Sequence, residues 1–235
     1  MLIAARYEKK LGAATREAFG RTLVELGREN PNIVVGDADL TKSTMTTYFA
    51  KEFPDRLFEC GIAEANMMGV AAGLASCGKI VFASTFAIFA TQRALNQVFQ
   101  SICYPGLNVK IGASHAGVTV GEDGATHQAI DDISLMRGLP NMTVVVPADF
   151  TEARLFTLAA VEHEGPVYLR FGRAKVPVLY GDDHRVRIGQ ADVLRRGADV
   201  TLVACGVMVA EALKAADLLA SEGISAEVIN CSTIK

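Results

Sequence analysis

The sequence has no block of lysines or arginines, no CxxC pair, no glycine-rich phosphate fingerprint, and no apolar run near the ~18 residues that span a bilayer. Each absence narrows the function. With a formal net charge of −3 and no basic block, nucleic acid and anionic membranes are disfavoured as main partners, which leaves small molecules and other proteins. The opening residues MLIAARYEKKLG lack the apolar stretch and cleavage site of a signal peptide, so a cytoplasmic location is expected. Cys60, Cys77, Cys103, Cys205 and Cys231 are odd in number and widely spaced, and read as reduced core residues rather than a disulfide or metal framework. Nothing matches GxxxxGK(S/T) or a strand-linked GxGxxG, so neither common phosphate cradle is present.

What remains is a chain of 235 residues, 50% apolar and 21% charged, long enough for one good core and part of a second. Short β-branched runs alternate with longer helical stretches, the pattern of parallel strands joined by crossover helices. The fold class expected is therefore α/β. Strands are predicted at Ile33–Val35, Ile80–Ala83, Val109–Gly112, Thr143–Val146 and Val167–Phe171, with helices near Thr15–Arg28, Ala63–Ser76, Gln92–Ile102 and Thr151–Glu162. Around Lys175–Gly189, Pro177, Gly181 and Asp182–Asp183 break any periodicity, which predicts a linker. A new βαβ follows, with strand Val200–Cys205, helix Ala210–Glu222 and strand Ala226–Asn230. One βαβ does not cover both faces of its own sheet, so more chain or a partner is expected there.

Four segments carry candidate chemistry. In GIAEANMMGVAAGLAS (Gly61–Ser76), Gly69 and Gly73 allow a close packing partner, and Glu64 opens the helix. A carboxylate there suits the helix dipole, but among Ala, Met and Gly it could also share a proton with a ligand nitrogen. In ASTFAIFATQR (Ala83–Arg93), Phe86 and Phe89 fall three apart where a strand ends; two such rings are usually core, yet a flat heteroaromatic could stack there. SHAGVTVGEDGATHQ (Ser114–Gln128) packs two histidines, two acids and three glycines after a strand, a composition suited to chemistry. His115 and His127 match no standard metal-ligand spacing, so hydrogen bonding to a polyhydroxylated or phosphorylated substrate fits better and no metal is expected on this chain. GDADLTKST (Gly36–Thr44) sets Asp37, Asp39, Ser43 and Thr44 at another strand end, where helix capping is the plainer alternative.

Taken in order, these segments resemble the pyrimidine-binding domain of transketolase, from about Arg16 to Arg173, with GIAEANM and GEDGATHQ the specific strings. The part from about Gly189 resembles the start of the transketolase C-terminal domain. This divides the chain into a pyrimidine-binding domain at 1–175, a linker at 176–189 and an incomplete C-terminal domain at 190–235. The implied architecture is a mostly parallel sheet with helices on both faces, followed by the first βαβ of a second α/β domain.

The resemblance implies a thiamine-diphosphate-dependent transfer of a two-carbon ketol unit between sugar phosphates, as in the pentose phosphate pathway. Glu64 matches the acid that bonds N1′ of the aminopyrimidine and controls its tautomer. Phe86 and Phe89 match the residues packed on the pyrimidine, and Asp39 and Leu40 those lining the cofactor. Asp123 and His127 match contacts to substrate hydroxyls, His127 being counted with Glu64 as catalytic. Arg16, Ser43, His115 and Arg173 match residues around the sugar phosphate. Gln92 departs from the tyrosine common in the family. The family's GDG motif for diphosphate and metal is missing, since Gly36-Asp37 continues with Ala38. The resemblance thus implies a separate N-terminal transketolase subunit holding Mg2+ or Ca2+, recruited by a homodimer of this chain. The alternatives are a 1-deoxyxylulose-5-phosphate synthase-like chain, a 2-oxoacid dehydrogenase β-like subunit, or a non-enzymatic docking subunit.

Overall fold

A computed structural model describes residues 8–235. Six parallel strands make the main sheet, β2 (Ile33–Asp37), β3 (Leu57–Glu59), β4 (Ile80–Phe86), β5 (Val109–Ser114), β6 (Thr143–Val145) and β7 (Val167–Arg170), in the order β3-β2-β4-β5-β7-β6. Helices cover both faces. α1 (Thr15–Glu29) and α7 (Phe150–Glu162) lie on one face with Phe19, Leu23, Leu26, Phe82, Phe156 and Leu169 buried between. On the other face, α4 (Glu64–Ser76) buries Met67, Met68, Ala71 and Ala75 against Val81, Ala83 and Ile111.

The amphipathic spacing of Ala18, Phe19, Thr22, Leu23 and Leu26 orients α1 on the sheet. Gly112 makes that fit possible, because a Cβ there would sit 2.3 Å from the Phe19 ring. The close approach carries Arg16, in the first turn of α1, toward the carboxyl ends of the strands.

A two-stranded antiparallel ribbon pairs β1 (Glu8–Ala14) with β8 (Lys175–Val178). Lys175–Val178 thus forms a strand in the stretch read as a linker, and Leu179 and Tyr180 are buried in the second core. That core lies under β9 (Asp192–Arg195), β10 (Val200–Ala204), α8 (Met208–Ser221) and β11 (Ala226–Asn230), ordered β10-β11-β9 with β9 antiparallel to β11. The other face leaves Val203 65% exposed. The chain end returns to β6 through Val146 N to Ser232 O at 2.7 Å and Ile234 N to Val144 O at 2.8 Å, tying the two units together.

The predicted helix Gln92–Ile102 is instead a sequence of π turns, Phe89–Arg93 and Val98–Cys103, around α5 (Leu95–Gln97). The Thr91 hydroxyl donates back to Ala87 O at 2.8 Å, a bond that competes with regular helical geometry. Short helices α2 (Thr41–Thr44), α3 (Thr47–Glu52) and α6 (Asp132–Gly138) complete the unit. All five cysteines are free thiols; Cys103 is buried, whereas Cys77 is exposed. Among the described residues, no helix is long and apolar enough to cross a membrane.

Candidate active site at the carboxyl edge of the parallel sheet

β2, β4, β5 and β7 are neighbours and run the same way, so the loops that follow them share one edge. Ligands gather at such edges in parallel α/β sheets. After β2, the fully buried Asp37 organises the turn: Oδ1 accepts from Leu40 N at 2.6 Å, and Oδ2 from Thr44 Oγ1 at 2.7 Å and Thr46 Oγ1 at 2.8 Å. Burial outweighs these donors and pushes the Asp37 carboxyl up to about 6. Asp39 is held in the left-handed region at φ 62° by a bond from its N to Glu59 Oε1. Ser43 offers its carbonyl to Arg16 Nη1 at 2.6 Å, which joins α1 to the turn.

After β4, the rings of Phe86 and Phe89 stack with centroids 5.7 Å apart and planes 10° apart. His115 stacks on Phe86 at 3.8 Å, and His127 presents its edge to both phenylalanines at 6.0 and 5.3 Å. Glu64, the first residue of α4, is only 3% exposed. Arg93 Nη1 lies 3.3 and 3.4 Å from its two oxygens, while the guanidinium carbon sits 4.2 Å over the Phe89 ring. A planar cation therefore stacks on Phe89 and faces the Glu64 carboxylate. An aminopyrimidine, flat and able to hydrogen-bond a carboxylate, fits the same pair of contacts. Gln92 Nε2 donates to Asp131 Oδ2 at 2.7 Å.

After β5, the loop leaves through His115, whose φ of 57° turns the chain and whose side chain is buried. Its Nδ1 lies 2.9 Å from Ser114 Oγ. Burial, and then the Arg16 charge, push its imidazole down to about 4, so it is neutral at pH 7. Gly117, Gly121 and Gly124 all have positive φ, and a bridge between Ala116 and Ala129 closes the loop. Below that bridge, Asp132 accepts from Arg170 Nε at 2.7 Å and Tyr168 OH at 2.8 Å.

Arg173, just past β7, donates to Val120 O and grips Glu122 through both terminal nitrogens, at 3.0 and 2.7 Å. The pairing holds the Glu122 carboxyl down at about 2. Arg16 Nε is buried without a hydrogen-bond partner. Burial, then the nearby Arg173 charge, lower the pKa of the Arg16 guanidinium, while Asp123 opposes both. Two guanidiniums and a neutral histidine thus meet beside an acidic loop. A phosphate would complete the bonds that Arg16 lacks.

Arg16, Ser43, His115, Asp123, His127 and Arg173 are therefore drawn to one edge, with Phe86, Phe89 and Glu64 joined to them through ring contacts and Arg93. Asp39 and Leu40 sit in the adjoining turn. Arg173 pairs with Glu122, while Glu17 bonds Arg21 and Asp149 caps α7. Arg93, Glu122 and Asp37 also shape the site. Arg93 falls four residues after Phe89, a spacing that signals a shared face once the segment is known to be helical.

Family models for the transketolase pyrimidine-binding domain and the transketolase C-terminal domain match residues 12–178 and 189–235. The chain is 49% identical over 222 residues to a candidate transketolase C-terminal section of Methanocaldococcus jannaschii, covering 94% of this chain and 70% of that protein. It is 43% identical over 220 residues to a 6-deoxy-6-sulfo-D-fructose transketolase subunit of a Clostridium species, covering 94% and 68%. It is also 43% identical over 232 residues to 1-deoxy-D-xylulose-5-phosphate synthase 1 of Geobacter sulfurreducens, but spans only 36% of that protein. Among solved structures, a split-gene transketolase described as an inactive beta4 tetramer matches with TM-score 0.87 and 58% identity, covering 94% of this chain and 71% of that one. Campylobacter jejuni transketolase matches at 0.86 and 26% identity, covering 98% and 37%.

Proposed function

Since this chain belongs to the transketolase family, we propose that it is the pyrimidine-binding subunit of a split, thiamine-diphosphate-dependent transketolase. It transfers a two-carbon ketol unit from a ketose phosphate to an aldose phosphate. A separate N-terminal subunit holds the diphosphate and its Mg2+ or Ca2+. The observation that carries this reading is Glu64, buried at a helix start and facing a planar cation stacked on Phe89.

The bound cofactor supplies the carbon nucleophile that the protein's own side chains lack. Glu64 holds the proton at N1′ and sets the tautomer of the ring. Phe86 and Phe89 stack on the pyrimidine, and Asp39 and Leu40 line its edge. His127, poised across both phenylalanines, moves protons at the substrate oxygen, and Asp123 binds a neighbouring hydroxyl. Arg16, Ser43, His115 and Arg173 receive the terminal phosphate, with Glu122 released from Arg173 as the anion arrives. Neutral His115 serves as a hydrogen-bond partner and adds no third positive charge.

The exposed stripe of α4, Asn66, Gly69, Val70 and Gly73, with the exposed Ile62 just ahead of the helix, supports a two-fold homodimer that recruits the N-terminal subunits. A Cβ at Gly69 or Gly73 meets no atom within 4 Å, which leaves room for another backbone. A second reading, 1-deoxy-D-xylulose-5-phosphate synthase chemistry, draws on the equal 43% identity to the Geobacter enzyme.

The test is ketol transfer by this chain assembled with an N-terminal transketolase subunit. Arg173→Ala should raise KM for phosphorylated ketoses roughly 10- to 100-fold, the worth of one or two charge-assisted bonds, and spare hydroxypyruvate. Equal loss on both donors would remove Arg173 from the phosphate site. Turnover of pyruvate in place of a ketose donor would favour the second reading.

A further inference from the structure

We propose that Glu152, His184 and Asp192 form a binding site for one divalent transition-metal ion of the zinc type, at the junction of the two units. The three residues come from α7, from the segment after β8, and from β9. One ligand atom from each lies within 4.8 Å of the others. Around a tetrahedral ion with bonds of about 2.0–2.2 Å, ligand atoms stand roughly 3.3 Å apart. His184 Nε2 and Asp192 Oδ2 already stand 3.5 Å apart, near that spacing, and the Asp192 side chain, 38% exposed, has room to adjust.

His184 is the residue that asks for a ligand. It is 4% exposed and stacked on Tyr180 at 3.8 Å, yet neither ring nitrogen makes a hydrogen bond. Its Nε2 lies 3.5 Å from Asp192 Oδ2, too far and too poorly aligned for a bond. A buried polar group left in this state is costly, and a bound ion removes the cost.

The carboxylates are already aimed. Glu152 Oε1 accepts from Ser232 Oγ at 2.5 Å and Asn230 Nδ2 at 3.0 Å, and Oε2 from Ala148 N at 2.6 Å. Asp192 Oδ2 accepts from Tyr180 OH at 3.2 Å. Such outer bonds orient the ligands of established metal sites and still leave each carboxylate a free lone pair. A cavity of about 110 Å³ lined by Glu152 and Asp192 opens beside them, with room for a water in the fourth position. Arg185 and Arg187 line its rim but are exposed, so their charges can turn to solvent. An imidazole among the ligands selects against Mg2+ and Ca2+ and for zinc.

The chain is stripped with chelator and titrated with Zn2+, reading metal per chain by elemental analysis and melting temperature by circular dichroism. Wild type should retain one Zn2+ more than Asp192→Asn and His184→Ala, and only wild type should gain several degrees on Zn2+ addition. Because free thiols are competing zinc ligands, Co2+ is used in parallel; the difference spectrum between wild type and Asp192→Asn should lack thiolate charge transfer. Should His184→Ala fail to fold, the half-exposed Asp192→Asn gives the comparison. Equal metal content in wild type and Asp192→Asn, or an equal thermal gain, would overturn the site and leave a buried water as the partner of His184.

Discussion

Replacing Arg170 with Met should destabilise the chain by about 3–5 kcal/mol, the cost of breaking a buried ion pair from one side. The carboxylate it pairs with, Asp132, is 1% exposed and takes three side-chain bonds: Arg170 Nε at 2.7 Å, Arg170 Nη2 at 3.2 Å and Tyr168 OH at 2.8 Å. Met keeps the length and apolar volume of the Arg stem but leaves only the tyrosine as a donor. Tyr168→Phe removes the third bond and retains both from Arg170, so it should cost near 1.5 kcal/mol, the low end for a bond to a charged acceptor. For a chain of this size, these losses translate to melting shifts of roughly 6–20 °C and 3–6 °C. The two variants are compared by urea and thermal unfolding, followed by far-ultraviolet circular dichroism. Arg170 also donates to Ala129 O, at the closure of the loop that carries Asp123 and His127. Its loss should therefore make peptide bonds between residues 117 and 128 more sensitive to protease, an effect absent in Tyr168→Phe. If Arg170→Met costs no more than Tyr168→Phe, loss of Arg170 does not leave Asp132 as an uncompensated buried charge.

Lys110 Nζ donates to His163 O and Gly165 O at 2.6 Å each, and burial pushes its pKa down to about 7. Above that pH the unfolded chain, near its ordinary 10.5, holds a proton the folded chain lacks, so stability should rise from pH 7 to 9. Lys110→Met should flatten that slope in denaturant titrations, and an unchanged slope would contradict the assignment. His115, depressed to about 4, loses its contribution as pH falls from 6.5 toward 4; nuclear magnetic resonance of its ring should show a midpoint near 4, against an ordinary one near 6.5. Glu122→Gln frees Arg173 from its intramolecular anion and should lower KM for phosphorylated ketoses in the assembled enzyme, whereas a rise would show that Glu122 contacts substrate. Arg93→Gln removes the cation facing Glu64 and should tighten thiamine diphosphate binding, measured by calorimetry on the assembly; weaker binding would make Arg93 a cofactor contact.

The central strands were legible because each is a short, largely buried apolar run, as at Ile33–Val35 and Val167–Leu169. β3 and β9 were not, being edge strands of three and four residues with mixed polarity. β8 contains Pro177, which reads as a breaker, yet an edge position in a two-stranded ribbon tolerates the missing N–H. The loop residues His115, Asp123 and His127 stood out by composition, and their convergence with Arg16 follows from strand order. The partnerships of Arg93 with Glu64 and Arg173 with Glu122 span 29 and 51 residues, and depend on π turns and left-handed glycines that no periodicity announces. Asp37 offered capping as its plain reading, and its buried carboxylate does organise the turn through Leu40, Thr44 and Thr46.

The most direct test of the account is exchange of the cofactor's C2 proton with deuterium, followed by nuclear magnetic resonance, in the complex of this chain with an N-terminal transketolase subunit. Glu64→Gln should assemble and bind cofactor yet slow the exchange about 10²- to 10⁴-fold, since a neutral amide cannot hold the N1′ proton. Exchange at the wild-type rate would reduce Glu64 to an acid at the start of a helix and contradict the assignment of this edge as the cofactor's pyrimidine site.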